Sequence, residues 1–325
     1  MEPVPVSIVV EWENILLAES ERCHRMLRRL VLEAETAVAE GLAANPIELL
    51  VCYDAEEVDG SAVAADVAME LPDHSPTLHH RLVPVAGAEY YELKNMGARE
   101  VEGDLVVFVD SDVIPEPGWL ASLIRPFADE AVGVVAGNSY LEPEGLYGKT
   151  FALAWFFPLR ATEAKVIPAG KFFANNVAFR RRVFEQFPFP PLDEGSRGSC
   201  WRLAQILAEN GVQIVQATGA QVEHPPPNGG RHFVMRALAQ GRDRLFEERA
   251  FGSRRTRSLM GTGARLKRDL RRSSSSITKN SKRVGLPTVA VPAALGISTS
   301  YYLLCTVGEV ATMVSPRFMA RHFRI

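Results

Sequence analysis

Apolar and polar positions alternate in blocks along the first third of the chain. Residues 6–10 (VSIVV) form a short β-branched run with no room for a helix, which predicts a buried strand. Residues 19–40 carry helix formers with apolar positions at Met26, Leu27, Leu30 and Leu32, which predicts a helix. A second buried strand is predicted at 47–53 (IELLVCY), ending in Asp54, and a third, short one at 82–85. A helix over 89–101 and a strand over 104–109 (DLVVFV) follow. Strands that are apolar throughout and alternate with helices predict a mainly parallel sheet covered on both faces. Such sheets bind ligands beyond the carboxyl ends of their strands. That directs attention to Glu11, Asp54 and the tripeptide Asp110-Ser111-Asp112.

Composition narrows the class. At 47% hydrophobic and 23% charged residues, the chain is neither globally disordered nor a fibrous repeat. Its 325 residues allow two domains, or one large α/β domain with an appendage. Cys23, Cys52, Cys200 and Cys305 lie far apart, with no CxxC and no Cys/His pair at zinc spacing. The expectation is free thiols in a reducing cytosol, without structural zinc. No basic segment followed by an apolar one opens the chain, so no secretory signal is expected.

The net charge of −3 argues against a nucleic-acid partner, but it hides an asymmetry. Residues 253–283 hold eleven basic residues against a single acid, Asp269, and residues 284–308 hold no charge at all. About 20 apolar residues suffice to cross a bilayer, and flanking cations mark its cytoplasmic side. The expected organisation is a domain over 1–250, a basic Ser/Arg-rich linker over 251–283, and a hydrophobic membrane-associating segment over 284–325. That places the protein at the cytoplasmic face of a membrane, peripheral or held by one segment. A buried or partner-binding helix is the alternative for the apolar run.

Asp110 and Asp112 carry the most chemistry. Two carboxylates one residue apart, at the end of a buried strand, suit Mg²⁺ or Mn²⁺, which needs only one or two protein carboxylates when it bridges to phosphates. A plain turn would also favour Asp and Ser there. The stretch KNMGAREVEGDLVVFVDSDVIPEPGWL (94–120) resembles the core of the inverting family 2 glycosyltransferases of the GT-A fold. The likeness continues through FFANNVAFRRRVF (172–184), the helix before Asn210-Gly211, and VEHP (222–225), and covers roughly residues 4–245.

The resemblance implies a Rossmann-like α/β domain that transfers sugar from a nucleotide diphosphate-sugar. By its pattern, Asp54 matches the acid that holds the base, and Lys94-Asn95 the pair bordering the nucleotide pocket. Asp110 corresponds to the acid by the ribose and metal, Asp112 to the direct metal ligand, and His224 to a histidine completing the metal site. Glu11 stands where the family has a Pro-Thr-Tyr-Asn-like turn, and would bind base or ribose or cap a helix. Asn175 and Asn176 would meet sugar or acceptor hydroxyls, or serve a turn. Arg236, Arg242 and Arg244 would meet diphosphate or lipid head groups, or form a solvated face.

One departure touches the chemistry. The family's Glu-Asp pair, the source of its base, falls here on Ser199-Cys200. A thiol is a poor base for an acceptor hydroxyl, so Glu194, with Asp193 second, is the expected base. The expected acceptor is a glycan or lipid-linked hydroxyl in glycolipid or cell-envelope polysaccharide synthesis. A catalytically degenerate relative that binds nucleotide-sugars or acts as a scaffold is the alternative.

Overall fold

The structure is a computed structural model and describes residues 2–12, 20–71, 75–191, 198–227, 229–250 and 259–323. Two compact units divide the chain. The first comprises residues 1–140, 160–191 and 199–224, the second 141–159, 192–198 and 225–325.

The first unit opens with strand β1 (Val6–Glu11), helix α1 (Ser20–Ala39), β2 (Ile47–Asp54), α2 (Gly60–Glu70), β3 (Leu78–Val85), α3 (Tyr90–Arg99) and β4 (Leu105–Asp110). β1, β2 and β4 are buried at nearly every position, as their unbroken apolar runs require. β1 pairs in parallel with β2 on one side and β4 on the other, in the order β3-β2-β1-β4. The chain therefore leaves β1 in one direction and later returns on its other side. This reversal opens a crevice at the carboxyl ends of the strands.

Beyond β4 come β5 (Ile114–Pro115), α4 (Trp119–Ile124), β6 (Val132–Leu141), α5 (Gly145–Ala154), β7 (Val166–Pro168), β8 (Asn176–Arg180), α6 (Arg181–Gln186), α7 (Ser199–Glu209) and β9 (Gln213–His224). The sheet continues from β4 through β8, β6 and β9 to β5, and β4–β8, β8–β6, β5–β9 and β7–β9 are antiparallel. Helices cover both faces, as the two apolar clusters on either side of β1, β2 and β4 show. This is the GT-A arrangement expected from the sequence.

The turn into α4 explains how the loop after β4 is anchored. Gly118, at φ +80°, offers no side chain to cap the helix. Glu33 of α1 supplies the missing acceptor, taking the N–H groups of Gly118 and Leu120 at 3.1 Å each. Burial raises the Glu33 carboxyl above its usual range, and those backbone donors only partly offset the shift.

The second unit is helical. α8 (Gly229–Ala250), α9 (Leu259–Asn280), α10 (Val291–Val314) and α11 (Pro316–His322) join α5. The helical reading of the segment after His224 is met by α8, which packs against α10. Most of the stretch read as a basic linker is helix α9, which buries Thr262, Arg265, Asp269, Ser273 and Ile277 along one narrow stripe. α8 crosses α10 closely enough that a methyl group on Gly241 would collide with the Cys305 carbonyl, and one on Gly308 with the Leu238 carbonyl. Arg265, Asp269 and Glu309 are buried here, and Arg244 is half-buried. Arg265 Nη2 meets Glu309 Oε2 at 2.8 Å, and Arg244 Nη1 lies 2.9 Å from Asp269 Oδ2, an ion pair by distance without hydrogen-bond alignment.

Candidate active site

The parallel strands deliver their last residues to one edge. Glu11 ends β1, fully buried, in register with Cys52 of β2 and Asp110 of β4. Asp54 ends β2, and its Oδ1 accepts the N–H groups of Glu56 and Gly87, each at 2.9 Å. It thereby ties the loop after β2 to the loop before α3.

Asp110 is held from below by α3. Lys94 is fully buried, and its Nζ donates to Asp110 Oδ1 at 2.7 Å. The Tyr90 hydroxyl donates to Oδ1 at 2.8 Å and to Oδ2 at 3.0 Å. Burial, followed by the negative charges of Asp110 and Glu11, drives the Tyr90 phenol far above its ordinary value, so it remains a proton donor. Helix periodicity explains the pair: positions 90 and 94 lie one turn apart on the face that α3 presents to the sheet. Lys94, expected at the border of a nucleotide pocket, supports Asp110 from the interior. Asn95 uses both ends of its amide on Phe189, donating to its carbonyl at 2.9 Å and accepting from its N–H at 3.0 Å.

Asp112 and His224 come together from residues far apart in sequence. His224 Nε2 lies 3.9 Å from Asp112 Oδ2, where the end of β9 passes β5. Arg22 of α1 bridges the same two segments. Its Nε donates to the Asp112 carbonyl at 2.5 Å, and its Nη2 to the Glu223 carbonyl and to Glu223 Oε1 at 3.0 Å each.

The sequence placed Asp110, Asp112 and His224 on one ion. The structure brings Asp112 and His224 side by side, while the Asp110 carboxylate is engaged by Lys94 and Tyr90. No group of three or more His, Cys, Asp or Glu residues at metal-binding distance occurs among the described residues. The thiols near this edge are held protonated: burial, helped by Asp112 and Glu11, pushes Cys23 up to about 12, and burial, against the opposing charges of Lys94 and Arg81, pushes Cys52 up to about 12.

Asn176 is 1% exposed, accepts from Trp119 Nε1 at 2.8 Å and donates to the Ala220 carbonyl at 2.9 Å. That work between α4 and β9 replaces the acceptor contact expected of it. Asn175, 5% exposed, accepts from the Ser139 hydroxyl at 2.8 Å. Glu194 and Asp193 lie outside the described residues. The residues standing in the family's Glu-Asp position open α7. Ser199 Oγ donates to the Pro190 carbonyl at 2.8 Å, and Cys200 Sγ lies 3.3 Å from the Tyr91 hydroxyl.

Sequence reasoning missed Arg22 and Tyr90. Arg22 had no visible signal, because its partners are 90 and 201 residues away. Tyr90 was legible in principle, four residues before Lys94 on a helix ending beside an acid-tipped strand.

Fold and site together define a class: a GT-A domain with acidic strand ends around a crevice. Residues 38–187 match the family described as "Glycosyl transferase family 2", a span that includes Asp54, Lys94, Asp110 and Asp112. The matched span is 150 of the chain's 325 residues, a little under half. A stretch of 77 residues is 39% identical to the pre-mycofactocin glycosyltransferase of Mycobacterium tuberculosis, in strains CDC 1551 / Oshkosh and ATCC 25618 / H37Rv alike. That match spans 23% of this chain and only 16% of the length of those relatives. Among solved structures, the mannosyltransferase PcManGT from Pyrobaculum calidifontis, in complex with GDP-Man and Mn²⁺, superposes with a TM-score of 0.57 at 16% identity. The superposition covers 98% of this chain and 89% of that one, and it establishes a shared fold.

Proposed function

We propose that this chain transfers a sugar from a nucleotide diphosphate-sugar to an acceptor hydroxyl, with inversion and with Mg²⁺ or Mn²⁺ as cofactor. The observation that carries the reading is the gathering of Glu11, Asp54, Asp110 and Asp112 at the carboxyl ends of adjacent strands, with His224 beside Asp112.

The donor set suits a divalent cation. Two metal–ligand bonds of about 2.1 Å each reach across about 4.2 Å, so a 3.9 Å pair can share one ion. One carboxylate and one imidazole leave the other positions to phosphate oxygens and water. When bound, the metal would offset charge growing on the departing diphosphate.

The chain's own residues then divide the work. Asp112 and His224 would hold the cation. Lys94 and Tyr90 keep Asp110 in one orientation toward the ribose, and Asp54 and Glu11 would hold the nucleoside. As the acceptor oxygen bonds to the anomeric carbon, the bond to diphosphate breaks, and the acceptor proton passes to Glu194 or Asp193. Asn175 is the nearer of the two asparagines to an acceptor role, since Asn176 has both amide ends engaged.

The second unit supports a membrane-bound acceptor. Residues 288–314 are long and apolar enough to cross a bilayer, and only 28% of their most apolar window is buried within the protein. Leu303, Val307 and Val314 are exposed along α10, and Lys267, Arg268 and Arg271 along α9. Basic residues beside an apolar face suit the anionic cytoplasmic leaflet, which favours glycolipid or cell-envelope polysaccharide synthesis. Flotation with vesicles containing anionic lipid checks this: Leu303→Glu with Val307→Glu should release the protein, and unchanged flotation would contradict membrane docking by α10.

The test of the reaction is transfer itself. With Mn²⁺, a matching donor and membrane lipid extract, release of nucleoside diphosphate should accompany a product of inverted anomeric configuration by NMR. Retained configuration would overturn the mechanism. Donor binding with neither transfer nor hydrolysis would favour the degenerate alternative, which the Ser199-Cys200 substitution keeps in play.

A further inference from the structure

Arg22 is 12% exposed at its side chain and reaches from the first turn of α1 to two distant segments. Among the acceptors of its guanidinium are the backbone carbonyl of Asp112 itself and both the carbonyl and Oε1 of Glu223, the residue preceding His224. The fork therefore spans the two segments that carry the paired carboxylate and imidazole. Planar guanidinium donors at fixed spacing constrain the separation of the carbonyls they bind.

We propose that Arg22 is a positioning residue that sets the separation of the Asp112 carboxylate and the His224 imidazole, and thereby the affinity for the divalent cation. The inference rests on the metal site proposed above. Its effect has the opposite sign from that of a simple charge. A cation beside a cation site weakens binding, so removing a merely electrostatic Arg22 would tighten it. Glu223 Oε1, 3.0 Å away, offsets much of the guanidinium charge and leaves the geometric role dominant.

The experiment titrates Mn²⁺ alone into the full chain and follows the EPR signal of the free ion. Wild type is compared with Asp112→Ala, Arg22→Gln and Arg22→Lys. Loss of an outer-shell orienting group typically costs 10–100-fold in metal affinity, so Arg22→Gln should weaken Mn²⁺ binding by about tenfold. Arg22→Lys should not restore it, because an ammonium cannot fork across two carbonyls. Hydrogen exchange should quicken in peptides covering 111–114 and 222–226. Should Arg22→Gln fail to fold, Arg22→Lys carries the comparison. Unchanged or tighter Mn²⁺ binding in the variants, with wild type and Asp112→Ala behaving as expected, would overturn the positioning role alone. A wild type that takes up no Mn²⁺ would overturn the metal reading and this inference together.

Discussion

Both units bury charge, and they do so differently. In the helical unit, Arg244 and Arg265 face Asp269 and Glu309, two cations for two anions. At the edge of the sheet, Glu11, Asp54 and Asp110 end adjacent strands with Asp112 just beyond; Lys94 pairs with Asp110 and the Arg22 guanidinium with Glu223. Burying an ion is costly unless its charge is compensated. Ion pairs between helices hold those helices in place, whereas carboxylates gathered at strand ends suit a ligand that brings a cation. On the proposed reading, the helical cluster serves the fold and the acidic edge of the sheet serves a ligand.

Substitution of a carboxylate should therefore have opposite effects in the two places. Asp112→Asn is expected to lower sugar transfer by roughly 10³-fold, the scale of losing a main electrostatic stabiliser, while thermal stability stays level or rises as like-charge repulsion falls. Glu309→Gln leaves the buried Arg265 and the half-buried Arg244 to one acid, and should cost about 3 kcal/mol in thermal or denaturant unfolding with Mn²⁺ binding unchanged. Equal destabilisation by both would erase the distinction. Gly308→Leu probes the helical unit without touching charge. Its side chain has to enter the α8–α10 crossing, for a loss of about 2 kcal/mol by the same unfolding measurement.

The smallest effect concerns pH. Burial raises the Glu116 carboxyl, but the Arg160 fork at 2.6 and 2.7 Å and the Tyr140 hydroxyl outweigh it, and the group ends below its ordinary 4.5. A depressed acid contributes stability that is full above the unfolded value and lost as pH falls through the folded one. Wild type should accordingly lose its advantage over Glu116→Gln as pH drops below about 4.5, by less than about 1 kcal/mol given the exposure of Arg160. A stability difference that does not change with pH would show that the ion pair contributes nothing.

The sheet's central strands were legible because burial on both faces leaves an unbroken apolar run, as in VSIVV, IELLVCY and LVVFVD. β3 was read only from Leu82 because its first half, Leu78-His79-His80-Arg81, alternates at a sheet edge. α9 was taken for a linker because its buried stripe is Arg265, Asp269 and Ser273, residues that pack only when an acid on another helix receives the arginine. At the site, the acids at the strand ends were legible, since topology alone places them there. The direction of Lys94 was not, because nothing in a sequence separates a lysine facing solvent from one beneath an aspartate. The convergence of Asp112 and His224 depended on the pairing of Ile114 with Glu223, a long-range register.

The most direct test of the central claim is calorimetric titration of UDP-, GDP- and dTDP-sugars into the full chain, with and without Mn²⁺, for wild type and Asp112→Ala. The account predicts that one nucleotide binds, that binding requires Mn²⁺, and that Asp112→Ala abolishes it. Binding that ignores both the metal and the substitution would show that the acidic edge of the sheet is not the nucleotide-sugar site.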